Sequence, residues 1–222
     1  MYEREFGSSF VEQKTRLNVR VYNLVMGLTI LYGLIVNLIL CVLIPDITVY
    51  INPMMFLILY FVCAFSGIAI AHKSSNPLVS FIGYNMVVVP IGLVVSMSIQ
   101  EYGGLSSDIV LYAFMYTLII TGIMVTASTI WPNFFQTLGR FLFLSLVSII
   151  IMSIFELFLG EFILISWFAA VIFSLYIGYD FLKAQELDYT VDNAIDSAVS
   201  IYLDIINLFL RILRILGNSR DD

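Results

Sequence analysis

The chain has 222 residues, of which 61% are hydrophobic and 12% charged, and its net charge is −6. Soluble domains carry about 25% charged residues, so this composition excludes an ordinary soluble domain and predicts a protein embedded in the lipid bilayer. An acidic chain without a basic patch has no means of neutralising phosphates, which argues against a nucleic-acid partner.

The chain opens with a polar segment over 1–21 that lacks the pattern of a secretory signal, so we expect the first apolar run to stay in the membrane. Crossing the hydrocarbon takes about 20 apolar residues. Six runs reach this length: 22–44, 53–71, 77–99, 107–128, 134–158 and 162–185. Pro90 is expected to kink the third run. Short connections favour antiparallel neighbours in one bundle.

A seventh segment, about 193–216, is less apolar, and a polar tail follows over 218–222. We therefore place a seven-segment transmembrane domain over 22–217. The last segment is long enough to span the bilayer, but Arg211, Arg214 and Arg220 would then lie on the side where basic residues are otherwise missing. A re-entrant segment would avoid this conflict, and the two alternatives stay open.

The basic residues predict the orientation of the chain. They precede the first run or lie at alternate connections: Arg4, Lys14, Arg16, Arg20, Lys73, Arg140 and Lys183. The positive-inside rule then predicts a multi-pass protein of the cell membrane with a cytoplasmic N-terminus.

Acidic residues occupy the opposite ends of the runs: Asp46, Glu101, Asp108, Glu156 and Glu161. We expect these carboxylates to be unopposed by any basic residue. Such a rim would raise the local cation concentration at a pore mouth, although ordinary solvated loop charges have the same pattern.

The seventh segment carries a polar stripe. Its members are Asn193, Ser197, Ser200, Asp204, Asn207, Arg211 and Arg214. Their intervals of four and three residues place them on one face of an α-helix. An amphipathic helix lying on the membrane surface has the same pattern. A helix at the bundle centre, with its polar face on a hydrated path, fits the thin stripe better, and Ser197, Ser200, Asn207 and Arg211 are then candidate path-lining residues.

Asp204 has a candidate partner in Asp180. The two acids are equidistant from residue 192, in the polar turn between the last two segments. If these segments form an antiparallel hairpin, both carboxylates lie at one depth and can touch. Intramembrane carboxylates mark functional sites by default, and two in contact cannot both ionise cheaply, so the pair would titrate as a unit. The alternative for Asp180 is an interfacial carboxylate in water.

Two stretches resemble the transmembrane Bax-inhibitor-motif family. They are SIYLDIINLFLRILRILG over 200–217 and FSLYIGYD over 173–180. The resemblance implies an all-α membrane fold in which six helices wrap around a central C-terminal helix. It also implies a bacterial-type, pH-sensitive calcium leak channel in which Asp180 and Asp204 form the proton sensor and contact the passing calcium ion. No bound cofactor is implied.

The resemblance further implies a basic residue from the second helix that latches the aspartate pair. The second run contains no arginine, and the nearest basic residues are His72 and Lys73 at its end. Both are candidate latch residues. The plain alternatives are a solvated histidine and a lysine that anchors the helix end in the cytoplasm.

Two functions of different classes remain. One is the calcium leak; the other is a non-catalytic regulator of another membrane protein, such as a quality-control protease, a role in which some bacterial relatives are described. An enzyme is not expected. A single histidine excludes the H-E-x-x-H motif of metalloproteases, and neither aspartate has the Gly-x-Gly-Asp context of intramembrane aspartyl proteases.

Overall fold

The computed structural model describes residues 16–44, 47–160 and 163–218. These ranges hold eight α-helices and one short 3₁₀ helix at Ile47–Val49. The α-helices are α1 (Val19–Leu43), α2 (Pro53–Lys73), α3 (Pro77–Glu101), α4 (Asp108–Ile130), α5 (Pro132–Thr137), α6 (Gly139–Leu159), α7 (Ile163–Gln185) and α8 (Val191–Asn218). No strand occurs in the described ranges, which confirms the predicted all-α class for this part of the chain.

Six of these helices, α1 to α4, α6 and α7, are long and apolar enough to cross a membrane. They follow the six predicted runs in order. The fifth run differs from the prediction, because the chain over 134–158 is divided at Leu138 between the short α5 and α6. Pro90 lies inside α3, which continues through it as one helix.

Local sequence explains where several of these helices begin. The side chains of Asn18, Asn52 and Asn76 accept hydrogen bonds from backbone N–H groups two residues further on, at 3.0, 2.9 and 2.9 Å. Such capping satisfies amide groups that have no partner inside the helix. Pro53 and Pro77 follow two of these caps, at the first helical position, where the backbone N–H would have no partner inside the helix.

Helix α8 differs from the six apolar helices, because it is amphipathic and largely buried. Its 28 residues extend over about 42 Å. It packs closely on α1, α2, α3, α4 and α7, and most extensively on α7. One end lies at the α7–α8 turn, and the other reaches Glu156 near the end of α6, where Arg214 approaches to 3.4 Å. A continuous helix of this length does not enter and return, so the re-entrant alternative does not describe it.

Several residues that entered the sequence predictions lie outside the described ranges. They belong to the N-terminal segment, to two connections and to the C-terminal tail: Arg4, Lys14, Asp46, Glu161 and Arg220.

Helices α2 and α3 cross at a pair of glycines. A Cβ built on Gly83 would lie 2.6 Å from the Gly67 carbonyl oxygen, and one built on Gly67 would lie 2.6 Å from the Gly83 carbonyl oxygen. Both separations are shorter than van der Waals contact. Only glycine at both positions lets the two backbones approach this closely, as small residues do at other membrane helix crossings.

Replacing Gly83 with valine is expected to destabilise the protein by about 1–3 kcal/mol, because the added side chain must push α2 and α3 apart. Thermal unfolding in detergent, followed by loss of the monodisperse size-exclusion peak, measures the effect. Gly122→Val is the matched control, since a Cβ on Gly122 would meet nothing within 4 Å. Equal shifts in melting temperature for the two variants would contradict the close crossing.

Candidate functional site

The polar stripe of α8 coincides with the part of this helix that is not fully enclosed. Five of its members are half-buried: Asn193, Ser200, Asn207, Arg211 and Arg214. Asp204 lies between them and is 7% exposed. The stripe is therefore a polar seam, bordered by neighbouring helices along most of the length of α8.

Asp204 and Asp180 come together within this seam. The two carboxyl groups act on each other electrostatically, and Asp180 is half-buried on α7. Two neighbouring carboxyl groups can join in a hydrogen bond only when one of them carries a proton, since ionised carboxylates only accept. Oδ2 of Asp204 is buried and has no hydrogen-bond partner among the described residues. The pair thus combines an open acceptor oxygen with two carboxyl groups that are placed to share a proton.

The basic groups that act on Asp180 are Lys183, most strongly, and then His72. Lys183 lies one helical turn from Asp180 on α7, a spacing that brings side chains together. Lys183 was not predicted as a neighbour of Asp180, although its spacing from Asp180 is visible in the sequence. His72 lies exposed at the end of α2, with its ring Nδ1 3.1 Å from the Ile68 carbonyl oxygen. Lys73 is also exposed there.

The far end of the seam holds an ion-pair cluster. Glu156 of α6 lies 3.4 Å from Arg214 Nη1 and 3.9 Å from Arg211 Nη1, and its side chain is only 8% exposed. Arg211 Nη2 also donates to Ser153 Oγ at 3.1 Å. The prediction that Glu156 is unopposed by any basic residue was therefore wrong, because α8 extends far enough to bring two arginines to the end of α6. Glu101 and Asp108 are exposed.

Two buried tyrosines set the rotation of α8 about its own axis. Tyr22 of α1 lies 3.1 Å from Ser197 Oγ and donates to the Ala184 carbonyl at 3.0 Å. Asn37 Nδ2 donates to the Tyr202 hydroxyl at 2.8 Å, and this hydroxyl lies 3.0 Å from Asn37 Oδ1. Ser197 is thus buried against α1. These contacts on the α1 side leave Asp204 facing α7.

The start of α8 is anchored by a buried acid that the sequence analysis did not single out. Asp192 is 3% exposed and accepts a hydrogen bond from Ser80 Oγ of α3 at 2.7 Å. Asp192 lies in the first turn of α8, where the helix dipole favours a negative charge. This position was the one feature of the sequence that could have indicated its role. Among the described residues, no group of three or more His, Cys, Asp or Glu side chains could hold a metal ion.

Comparison with known proteins gives one family. The family model described as "Inhibitor of apoptosis-promoting Bax1" matches residues 14–221. An uncharacterised protein of Helicobacter pylori is 37% identical over 108 residues, 47% of this chain and 46% of the relative. "BI1-like protein" of Arabidopsis thaliana is 40% identical over 116 residues, 49% and 44% of the two chains. "Bax inhibitor 1" of Saccharomyces cerevisiae is 44% identical over 62 residues, 27% and 20%. The chain spans less than half the length of each relative.

Replacing Asn37 with leucine is expected to destabilise the protein by about 1–3 kcal/mol, because the buried Tyr202 hydroxyl loses its partner. The double variant Asn37→Leu with Tyr202→Phe should lose less stability than the sum of the two single variants, since no unpaired polar group then remains. Thermal unfolding of the four proteins forms a double-mutant cycle that measures this coupling. Strictly additive losses would show that the two side chains do not support each other.

Proposed function

The chain belongs to the family of inhibitors of apoptosis-promoting Bax1, and we propose that this multi-pass membrane protein is a passive leak for calcium whose rate depends on pH. The observation that carries the proposal is the buried Asp204, whose Oδ2 has no hydrogen-bond partner among the described residues and whose neighbour across the α7–α8 packing is a second carboxyl group, Asp180. In the proposed arrangement, α8 is the centre around which the six apolar helices wrap. Its polar seam is the ion path, with Ser200, Asn207 and Arg211 along it.

The chemistry of the pair suits a passing divalent cation. Calcium prefers oxygen ligands, and two carboxylates offer up to four oxygens. Asp204 Oδ2 is already without a protein partner among the described residues, so it can turn to an ion without breaking a hydrogen bond. Calcium is here the transported substrate. A site with only two carboxylate residues would bind it weakly, as conduction requires, because an ion must leave the site as well as enter it.

The proton on the pair supplies the pH dependence. Proton and calcium compete for the same oxygens, and a pair that holds a proton carries less negative charge than one that has lost it. The nearby Lys183 and His72 add positive charge beside Asp180. We propose that Lys183 and His72 are the basic groups that latch the aspartate pair and close the ion path. The sequence predicted this latch role for His72 or Lys73.

The proposed orientation places the N-terminus in the cytoplasm of a cell-membrane protein. Arg16 forms an ion pair with Asp188 at 2.9 Å, and the Leu17 N–H donates to the Tyr189 carbonyl, so the start of the described chain lies beside the α7–α8 turn. Arg20 and Lys183 belong to the same end of the bundle. An excess of basic residues at one end is typical of the cytoplasmic side.

Purified protein in liposomes is expected to leak calcium at a rate that changes between about pH 5 and about pH 8, because the pair titrates as a unit. Asp180→Asn and Asp204→Asn should each shift or flatten this profile, since an amide cannot exchange a proton and the remaining carboxyl group titrates without its partner. Calcium flux from a pH-clamped lumen measures the rate. Asp188→Asn is the matched control: it removes an exposed carboxylate of the turn and should keep the profile.

A leak that is unchanged in both pair variants, or a flat profile in the unaltered protein, would sink this proposal. The non-catalytic regulator of another membrane protein would then become the better account, since that role uses the outer surface of the bundle and does not need the aspartates.

Infrared spectroscopy should detect the shared proton directly. A carbonyl stretch of a protonated carboxyl group is expected in the unaltered protein, with an intensity that changes over the same pH range as the leak. Each pair variant should shift the frequency and the pH range of this band, because the remaining carboxyl group has lost its partner. A band that keeps its frequency and pH range in both variants would place the proton elsewhere.

A further inference from the structure

The cluster of Glu156, Arg211 and Arg214 connects two helices that otherwise approach each other through few backbone positions. Helix α6 makes its close backbone contacts with α5 and α7. Its connection to α8 is made by long side chains, through the two arginine–Glu156 contacts and the bond from Arg211 to Ser153. This polar bridge therefore joins α6 to the outer end of the α8 seam.

The bridge is well covered for a group of charges. The side chains of Arg211, Arg214 and Glu156 are 16%, 29% and 8% exposed, whereas arginine and glutamate are mostly exposed in proteins. Arg211 lies one helical turn beyond Asn207, a half-buried member of the seam. Glu156, near the end of α6, thus lies against the seam one helical turn beyond Asn207.

We propose that Glu156 is a positioning residue that holds the end of α6 over the polar seam and closes the seam to water at the end away from the aspartate pair. This closure, called the gate below, rests on the proposed function in one respect, since the seam is taken as the ion path. Its physical basis is local: the Glu156 carboxylate of α6 attracts two covered guanidinium groups of α8, so neutralising this carboxylate weakens the attraction that holds the end of α6 to α8.

Accessibility of a cysteine at position 207 tests the gate without using calcium. Asn207→Cys is introduced after both native cysteines, Cys41 and Cys63, which are free thiols, have been changed to alanine. The protein is placed in lipid nanodiscs, where both faces meet water. Labelling rates are then measured with a cationic and with an anionic methanethiosulfonate reagent, neither of which crosses lipid.

With Glu156 in place, both reagents should react slowly. Glu156→Gln should speed both of them by about tenfold, the scale on which loss of a covered charge contact shifts a local opening equilibrium. Arg214→Gln should also speed both, whereas Arg214→Lys keeps the charge and should leave both rates low. Glu101→Gln, which neutralises an exposed carboxylate at the same end of the bundle, is the matched control and should leave both rates near the starting values.

Three results would overturn the gate: unchanged rates in Glu156→Gln, equal acceleration in Glu101→Gln, or opposite changes for the two reagents. The last would show that the substitution alters only the local potential and not access. Each variant should elute as a monodisperse peak in size-exclusion chromatography, which shows that faster labelling does not result from general unfolding. A raised labelling rate together with a flat calcium profile would support the gate and overturn the calcium leak, so the two proposals can fail separately.

Discussion

The ionisable side chains that α8 places inside the helical bundle lie against polar groups of neighbouring helices, because a membrane interior offers no water to solvate them. Helix α8 meets this constraint at three levels. Its first turn places Asp192 against Ser80 of α3, its middle places Asp204 against Asp180 of α7, and its end places two arginines against Glu156 of α6. Each pairing ties α8 to a different helix, so satisfying the charges also orients the helix.

The remaining faces of α8 explain why the bundle tolerates such a polar element. Ala198, Tyr202 and Leu208 are fully buried on its other sides and pack into the common core. The apolar helices instead expose large hydrophobic side chains on the outer surface, such as Leu24 and Leu28 of α1, and the bilayer is the solvent for these side chains. The molecule is thus ordered from a polar seam through a packed core to a lipid-facing surface, the reverse of a soluble domain.

Much of the fold could be predicted because the deciding interactions are local. Run lengths set the number of apolar helices, and asparagine followed by proline marks the start of α2 and of α3. The break at Leu138 escaped prediction because the run was judged by its overall length and apolar content, although Gln136 and Thr137 before it and Gly139 and Arg140 after it interrupt the apolar sequence. The family assignment followed from two short motifs, and the match over residues 14–221 confirms it.

The sequence by itself determined the membrane class, the helix count of the apolar part and the equal spacing of Asp180 and Asp204 about the last turn, because these depend on composition and on distance along the chain. Only the tertiary structure decided which charges meet. Glu156 and Arg211 are 55 residues apart, and no periodicity links them; their contact depends on how far α8 extends beside α6. His72 at the end of α2 likewise acts on Asp180 only because of the tertiary structure, whereas Lys183 is a neighbour of Asp180 by its spacing along α7. In a low-dielectric interior, position decides which charges act on one another.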